Sequence, residues 1–337
     1  MNGRMLERVA IIGAGSWGTT LAWLLGARGV PVRLWARDAR LAAELAARRV
    51  NTRYLPEVEL PVDVEPTSDL AHALAGSAVA LVVVPSVGVA RIAQQMAPVI
   101  APGTVVGSAA KGLDHETGRR MSVVLADALG PACPVAALSG PNLAHEVVAR
   151  LPAAAVAAHP DDAVTGPLQA LLSSATFRVY TNPDLAGVEL CGALKNPLAI
   201  AAGICDGLCL GDNAKAVLMT RGMHEIQRLG VALGADARTF AGLCGFGDLL
   251  ATCHSPQSRN RTLGEQIGRG RHLSELLAET SQVAEGVPTT RTAVRLAREH
   301  GVDMPILEEL HAVLFADKPV QQAVEALMLR SIGGEFA

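Results

Sequence analysis

Aromatic side chains are scarce in this chain: 2 Tyr, 3 Trp and 5 Phe, together 3% of 337 residues. A core must therefore be filled with Ala, Val and Leu rather than with rings. Charge of one sign is also missing, because 29 Lys and Arg face 32 Asp and Glu for a net charge of −3. Without a basic excess there is little to neutralise a phosphate backbone, which argues against a nucleic-acid partner. No uncharged apolar run reaches the ~18 residues of a membrane span. The longest, 77–90, is interrupted by Pro85. The six cysteines show no CxxC pair. Cys205 and Cys209 stand four apart on an expected helix, with no second pair to complete a zinc site. No metal is expected, and the thiols read as free and mostly buried. Residues 1–8 are short and polar and lead into a strand pattern rather than a signal peptide, so a cytoplasmic protein is expected.

What is present is an apolar chain, 50% hydrophobic and only 18% charged, which excludes a disordered polymer. Its length exceeds the ~250 residues at which single cores stop growing, so two domains are expected. Apolar runs at 8–12, 30–35, 78–84, 104–108 and 133–138 alternate with helix-like stretches at 17–28, 41–48, 87–98 and 118–129. The run 78–84 is nearly uninterrupted, as suits a strand covered on both faces. A last strand pair is expected at 153–158 and 177–180. This alternation predicts a doubly wound parallel sheet, an α/β fold of the Rossmann type. After Tyr180 the pattern turns helical, with Asn182 as an expected N-cap, Pro183 at the first helical position and no convincing strand. The expected division is a dinucleotide-binding domain at 1–181 and an all-helical substrate domain at 182–337.

Gly13-Ala14-Gly15-Ser16-Trp17-Gly18 is a GxGxxG directly after the first strand and at the mouth of a helix. In that context the glycines allow a tight turn and let a pyrophosphate approach the helix N-terminus; the alternative is an ordinary strand-to-helix turn. The second strand ends at Arg37-Asp38. Arg37 can hold a ribose 2′-phosphate by charge-assisted hydrogen bonds, whereas Asp38 can accept from a free ribose hydroxyl. The balance predicts NADPH, with NADH also usable. Val83-Val84-Pro85-Ser86, Lys111 and Ser139-Gly140-Pro141-Asn142 each end a strand at the carboxyl edge, where ligands collect in such sheets. Lys111 reads equally as a solvated lysine or a site residue.

In the helical half, Lys195 lies in the apolar stretch 190–204, two residues before Pro197, which should kink the helix. A buried ammonium must be paired, and points to function; the alternative is a stem that snorkels to water. Asp248 sits in a Gly-flanked turn, Gly245-Phe246-Gly247, and N-capping alone would explain it. The run Ser258-Arg259-Asn260-Arg261 at a helix start offers backbone donors, a hydroxyl and a guanidinium fork, a combination suited to phosphate or to a solvated basic turn.

Taken in order, GAGSWGT (13–19), NTRYLP (51–56), VVPS (83–86), KG (111–112), SGP (139–141), ALKN (193–196), DGL (206–208), TRGMHE (220–225), GFGDLLATC (245–253), SRNR (258–261) and VAEGV (283–287) cover nearly the whole chain. The chain resembles the bacterial NAD(P)H-dependent glycerol-3-phosphate dehydrogenases. The resemblance implies reduction of dihydroxyacetone phosphate to sn-glycerol 3-phosphate for phospholipid synthesis. It makes Lys195 the proton donor or acceptor, with Lys111 assisting electrostatically and Asp248 orienting Lys195 or a substrate hydroxyl, and places Lys111, Gly140, Lys195, Asp248, Ser258, Arg259 and Asn260 on the substrate. Ser16, Trp17, Arg37, Lys111, Ala144, Arg259, Val283 and Glu285 would touch the cofactor, with Gly13, Gly15 and Gly18 forming its turn.

Three positions depart from the family's habit: Asn142 stands where Ser or Thr is usual, Pro197 where a β-branched residue is, and Phe246 where a smaller one is. None removes a catalytic group. The competing readings are a silent NADP(H)-binding sensor, which needs no buried lysine, and a related two-domain reductase of another hydroxy acid or sugar phosphate. The Ala-rich helical domain offers a face on which a homodimer could form.

Overall fold

The structure is a computed structural model that describes residues 8–279, 284–331 and 334. It divides into two compact units, one ending at Leu190 and one beginning at Cys191. The division falls inside a continuous helix rather than at 181/182.

The first unit holds ten strands: β1 (Arg8–Ile12), β2 (Val32–Trp35), β3 (Val50–Asn51), β4 (Leu55–Glu59), β5 (Val64–Thr67), β6 (Ser77–Val82), β7 (Val105–Ser108), β8 (Val135–Ser139), β9 (Ala153–Ala158) and β10 (Phe177–Asn182). Its helices are α1 (Ser16–Gly26), α2 (Ala39–Arg48), α3 (Leu70–Leu74), α4 (Ser86–Met96), α5 (Met121–Leu129), α6 (Ala144–Val148) and α7 (Asp162–Leu172). Eight strands form one sheet in the order β10-β9-β8-β7-β6-β1-β2-β5. The strands from β8 through to β5 pair in parallel, while β9 joins β8 antiparallel and carries β10 parallel to itself. Along β1, Val9 and Ile11 enter one core while Ala10 and Ile12 enter the other. Both faces of the sheet are thus buried under helices, which is why its central strands lack polar alternation. β3 and β4 form a separate antiparallel hairpin. Trp17, Trp23 and Trp35 all pack in this unit, Trp17 against Phe177 with ring centroids 6.0 Å apart.

The division point lies within α8 (Leu185–Gly207), which continues through Pro197 over its full 23 residues. It does not start at Pro183. Asn182 ends β10 and its Oδ1 accepts from the Asp184 N–H at 2.8 Å, while Asp184 Oδ1 caps the helix by accepting from the Gly187 N–H at 2.8 Å. By length and apolarity α8 is a candidate membrane span, but 94% of the qualifying window is buried inside the protein, so it is a core helix. The described elements that follow are all helical: α9 (Gly211–Ala232), α10 (Ala237–Phe240), a π-helical turn (Leu243–Gly247), α11 (Asp248–His254), α12 (Arg259–Gly268), α13 (Leu273–Glu279), α14 (Gly286–Glu299), α15 (Pro305–Phe315) and α16 (Val320–Met328).

Two of these helices touch backbone to backbone. A Cβ added at Gly203 or Gly207 on α8 would collide with the Arg261 or Glu265 carbonyl of α12. One added at Gly264 or Gly268 on α12 would collide with the Ile200 or Ile204 carbonyl of α8. The four-residue spacing puts each glycine pair on one helix face, so a strip without side chains lets the axes close in. This contact seats the start of α12 against α8 in the second unit.

Candidate active site

In the first unit the chain runs from β1 to β2 and β5 on one side, then returns through β6 to build the other. The reversal between β1 and β6 is the crevice where open α/β sheets bind ligands. Three glycines do three different things there. Gly13 has φ +124°, and a Cβ on it would strike the Val83 carbonyl at the end of β6. At Gly18 a Cβ would strike the Gly13 carbonyl, so this glycine lets α1 pack onto the turn. Gly15, the N-cap residue of α1, would carry a Cβ into open space with no atom within 4 Å, and no side chain caps that helix end. An uncapped helix N-terminus with an open approach fits a dinucleotide pyrophosphate, which takes backbone donors and the positive end of the dipole. Ser16 Oγ donates to the Tyr54 carbonyl at 2.7 Å, and the Trp17 indole turns toward Phe177.

At the end of β2 the choice between Arg37 and Asp38 is partly decided by local structure. Asp38 caps α2, its Oδ1 accepting from the Arg40 N–H at 2.9 Å. Arg37 is exposed and makes no hydrogen bond or ion pair among the described residues. Beyond β7, Lys111 Nζ donates to the Gly140 carbonyl at 2.7 Å, so two of the expected site residues are joined and Lys111 is no solvated lysine. Asn142 Nδ2 donates to the Ala154 carbonyl at 2.9 Å, which spends that side chain on β9. Ala144 begins α6.

In the second unit Lys195 is 4% exposed and Asp248 2%. The Lys195 ammonium pairs with Asp248 Oδ1 and donates to Thr252 Oγ1 at 2.6 Å. Thr252 Oγ1 in turn donates to the Asp248 carbonyl at 2.6 Å. Lys195 therefore does not snorkel. Nor is Asp248 the N-cap of α11: that residue is Gly247, and the carboxylate turns to the lysine instead. The π-helical turn before it, a geometry that recurs at functional sites, delivers Asp248 to this position. Beside the ion pair, burial pushes the Cys253 thiol up to about 12, so it stays neutral and leaves the two charges to each other.

At the start of α12, Ser258 is the N-cap, its Oγ accepting from the Arg261 N–H at 3.3 Å, and Arg259 is exposed. Arg261 is taken by an ion pair to Asp206 at 2.7 Å. Asn260 Nδ2 donates to Asn196 Oδ1 at 3.0 Å, and its Oδ1 accepts from the Gly286 N–H at 3.0 Å. This relay ties α12 to α8 beside Lys195 and to α14 beside Glu285. Val283 lies outside the described residues.

Comparison with known proteins decides the family. Models of the NAD-dependent glycerol-3-phosphate dehydrogenase N-terminus and C-terminus match residues 8–165 and 184–325. Glycerol-3-phosphate dehydrogenase [NAD(P)+] of Geobacter sulfurreducens is 48% identical, with 98% of this chain and 99% of that one covered. The Moorella thermoacetica protein of the same name is 49% identical, with 97% of each covered. The crystal structure of glycerol-3-phosphate dehydrogenase from Coxiella burnetii superposes with a TM-score of 0.92 at 42% identity, over 96% of this chain and 99% of that one. The chain belongs to the NAD-dependent glycerol-3-phosphate dehydrogenase family.

Within this family frame, two residues of the site escaped sequence reasoning. Thr252 stands four residues after Asp248, on the same helical face, and that spacing was the available signal. Asn196, next to Lys195, holds Asn260 through a contact 64 residues away in sequence, for which no local pattern exists.

Proposed function

We infer that this chain catalyses the NAD(P)H-dependent, reversible reduction of dihydroxyacetone phosphate to sn-glycerol 3-phosphate. The observation that carries this reading is the buried Lys195 ammonium held by Asp248 and Thr252. A silent cofactor sensor has no use for a charge whose burial costs several kcal/mol unless paired.

NAD(P)H, when bound, supplies the hydride that reduces the substrate carbonyl. The residues that would hold it are the Gly13–Gly18 turn, Lys111 and Ala144, with Arg259, Val283 and Glu285 from the second half of the chain. Arg37, with an uncommitted guanidinium, is the group for a ribose 2′-phosphate, which favours NADPH while leaving NADH usable. Lys195 stabilises the negative charge that builds on the substrate oxygen and transfers a proton to it from Nζ. Asp248 and Thr252 hold Nζ in place for that transfer. A general acid so placed contributes ~10²–10⁴-fold. Ser258, Arg259 and Asn260 at the α12 N-terminus receive the substrate phosphate, a dianion suited to backbone donors and a guanidinium fork. Lys111 and Gly140, joined by their hydrogen bond, are assigned to the substrate as well.

The product is the backbone of glycerophospholipids, and we place the reaction at the entry to their synthesis. Six free cysteines support a reducing, cytoplasmic setting.

The test is the loss of NAD(P)H absorbance with dihydroxyacetone phosphate, NADPH and NADH run in parallel. Rapid oxidation is expected with both, faster with NADPH. Absence of turnover in a protein that binds NADPH would refute the substrate. For Arg37→Ala, a larger loss with NADPH than with NADH is expected; equal losses would refute the 2′-phosphate contact.

A further inference from the structure

The β3–β4 hairpin has no part in the chemistry above, yet its side chains are bound into the cofactor turn. Asn51 is 0% exposed. Its Nδ2 donates to the Ala14 carbonyl at 3.0 Å and to Thr19 Oγ1 at 2.7 Å, and its Oδ1 accepts from the Tyr54 N–H at 3.2 Å. The exchange is reciprocal, since Ser16 on α1 donates its hydroxyl proton back to the Tyr54 carbonyl. Further along the hairpin, Glu57 Oε1 lies 3.2 Å from His145 Nδ1 on α6, one residue from Ala144. The hairpin therefore grips the two segments of this unit, α1's start and α6, that the proposed function assigns to the dinucleotide.

The Ala14 carbonyl and the Gly15 N–H belong to one rigid peptide plane and point in opposite directions. Whatever holds the Ala14 oxygen also aims the Gly15 N–H. Gly15 is the residue whose open surroundings admit the pyrophosphate, and a glycine there leaves the preceding peptide free to rotate unless something stops it. Asn51 stops it, and its second donor bond to Thr19 registers that peptide against the first turn of α1.

We propose that Asn51 is the positioning residue of the dinucleotide site, fixing the Ala14–Gly15 peptide so that its N–H points to the pyrophosphate, with the β3–β4 hairpin as its carrier. This rests on the NAD(P) reading of the turn and not on the identity of the substrate. A preorganised donor spares the ligand the cost of ordering it, so the effect falls on cofactor affinity.

The experiment titrates NADPH and NADP+ into the full-length wild-type, Asn51→Ala and Thr19→Val proteins by calorimetry, then measures kinetics at saturating cofactor. Asn51→Ala is expected to raise the Kd for both dinucleotides by about 10- to 100-fold, the range for two lost buried hydrogen bonds. Thr19→Val, which removes one acceptor without changing volume, is expected to raise it about 3- to 10-fold. The KM for dihydroxyacetone phosphate at saturating cofactor should stay within about twofold, which a general loosening of the protein would not allow. An unchanged Kd in folded Asn51→Ala overturns the proposal, and so does a parallel rise of cofactor Kd and substrate KM. If Asn51→Ala does not fold, Thr19→Val decides by the same two criteria. Because binding is measured without turnover, a wild-type protein that binds NADPH but ignores dihydroxyacetone phosphate refutes the substrate reading alone; one that binds no dinucleotide refutes both.

Discussion

Glycines 13, 15 and 18 look interchangeable in a motif and are opposite in kind in the structure. A methyl group on Gly15 meets nothing in the protein, at a φ of −75° that alanine adopts readily. Gly15→Ala should therefore keep the wild-type melting temperature within about 2 °C while raising the NADPH Kd at least tenfold, because the methyl stands where the pyrophosphate must come. Gly18→Ala should instead lower the melting temperature or abolish folding, since its methyl overlaps the Gly13 carbonyl. Thermal melts and titrations on the two variants check both halves, and equal behaviour would refute the distinction. At Lys195 the expectation is chemical. Lys195→Met should cost ~10²–10⁴-fold in kcat with cofactor Kd changed less than twofold. It should also cost about 3–5 kcal/mol of stability, because buried Asp248 loses the ammonium that balances its charge. A folded Lys195→Met with near-normal kcat would end its role as proton donor.

At the scale of elements, the glycine contact between α8 and α12 carries the geometry of the second unit's site. It brings the Ser258-Arg259-Asn260 start of α12 and its Asn196 tether against the helix that bears Lys195. Gly264→Ala inserts a methyl into the Ile200 carbonyl, with no side chain to yield. It should destabilise by at least the ~1–3 kcal/mol of ordinary overpacking and raise the KM for dihydroxyacetone phosphate before it affects cofactor binding. Chemical denaturation and steady-state kinetics test this; an unchanged midpoint would sink it. The elements also show where sequence patterns run out. The central strands and the helical second half were legible because apolar runs and their breaks are local. β5 was not, because Val64-Glu65-Pro66-Thr67 carries a proline that demotes a strand, and only its edge position, paired to β2 alone, makes Pro66 tolerable. Nor could the direction of β9 be read from Ala153–Ala158, an almost uniform alanine run whose antiparallel entry is set by its neighbours. The start of α8 was misplaced by two residues because Asn182 and Asp184 are both good caps, and strand pairing claims the first. For the site, motif residues could be found but not their partners: Lys195 to Asp248 spans 53 residues and Lys111 to Gly140 spans 29.

At the scale of the whole molecule, stability should depend on pH through carboxylates that packing holds away from water. Glu225 on α9 accepts from the Ile306 and Leu307 N–H groups at the start of α15, and burial pushes its carboxyl up to about 7 despite those bonds and the nearby Arg228, with Asp303 adding to the rise. Burial also raises Glu189, which accepts from the Ser122 N–H and pairs with Arg120. A raised native pKa means that the folded state holds the proton longer than the unfolded one. The contribution is fully present below about pH 4.5 and is lost as pH rises to about 7, the native value for Glu225. Glu225→Gln should remove its share, so the variant should gain on the wild type by about 2 kcal/mol between pH 5 and pH 7.5. Urea denaturation at the two values measures it, and a constant difference would show that Glu225 does not titrate in this window. The scarcity of aromatic residues has an optical consequence as well. All three tryptophans and both tyrosines, at 17, 23, 35, 54 and 180, belong to the nucleotide-binding unit, and the helical unit has none. Emission excited near 295 nm is therefore a private signal of one unit, while the far-ultraviolet helix band weighs toward the other. The same cuvette can follow each half of the enzyme without a label.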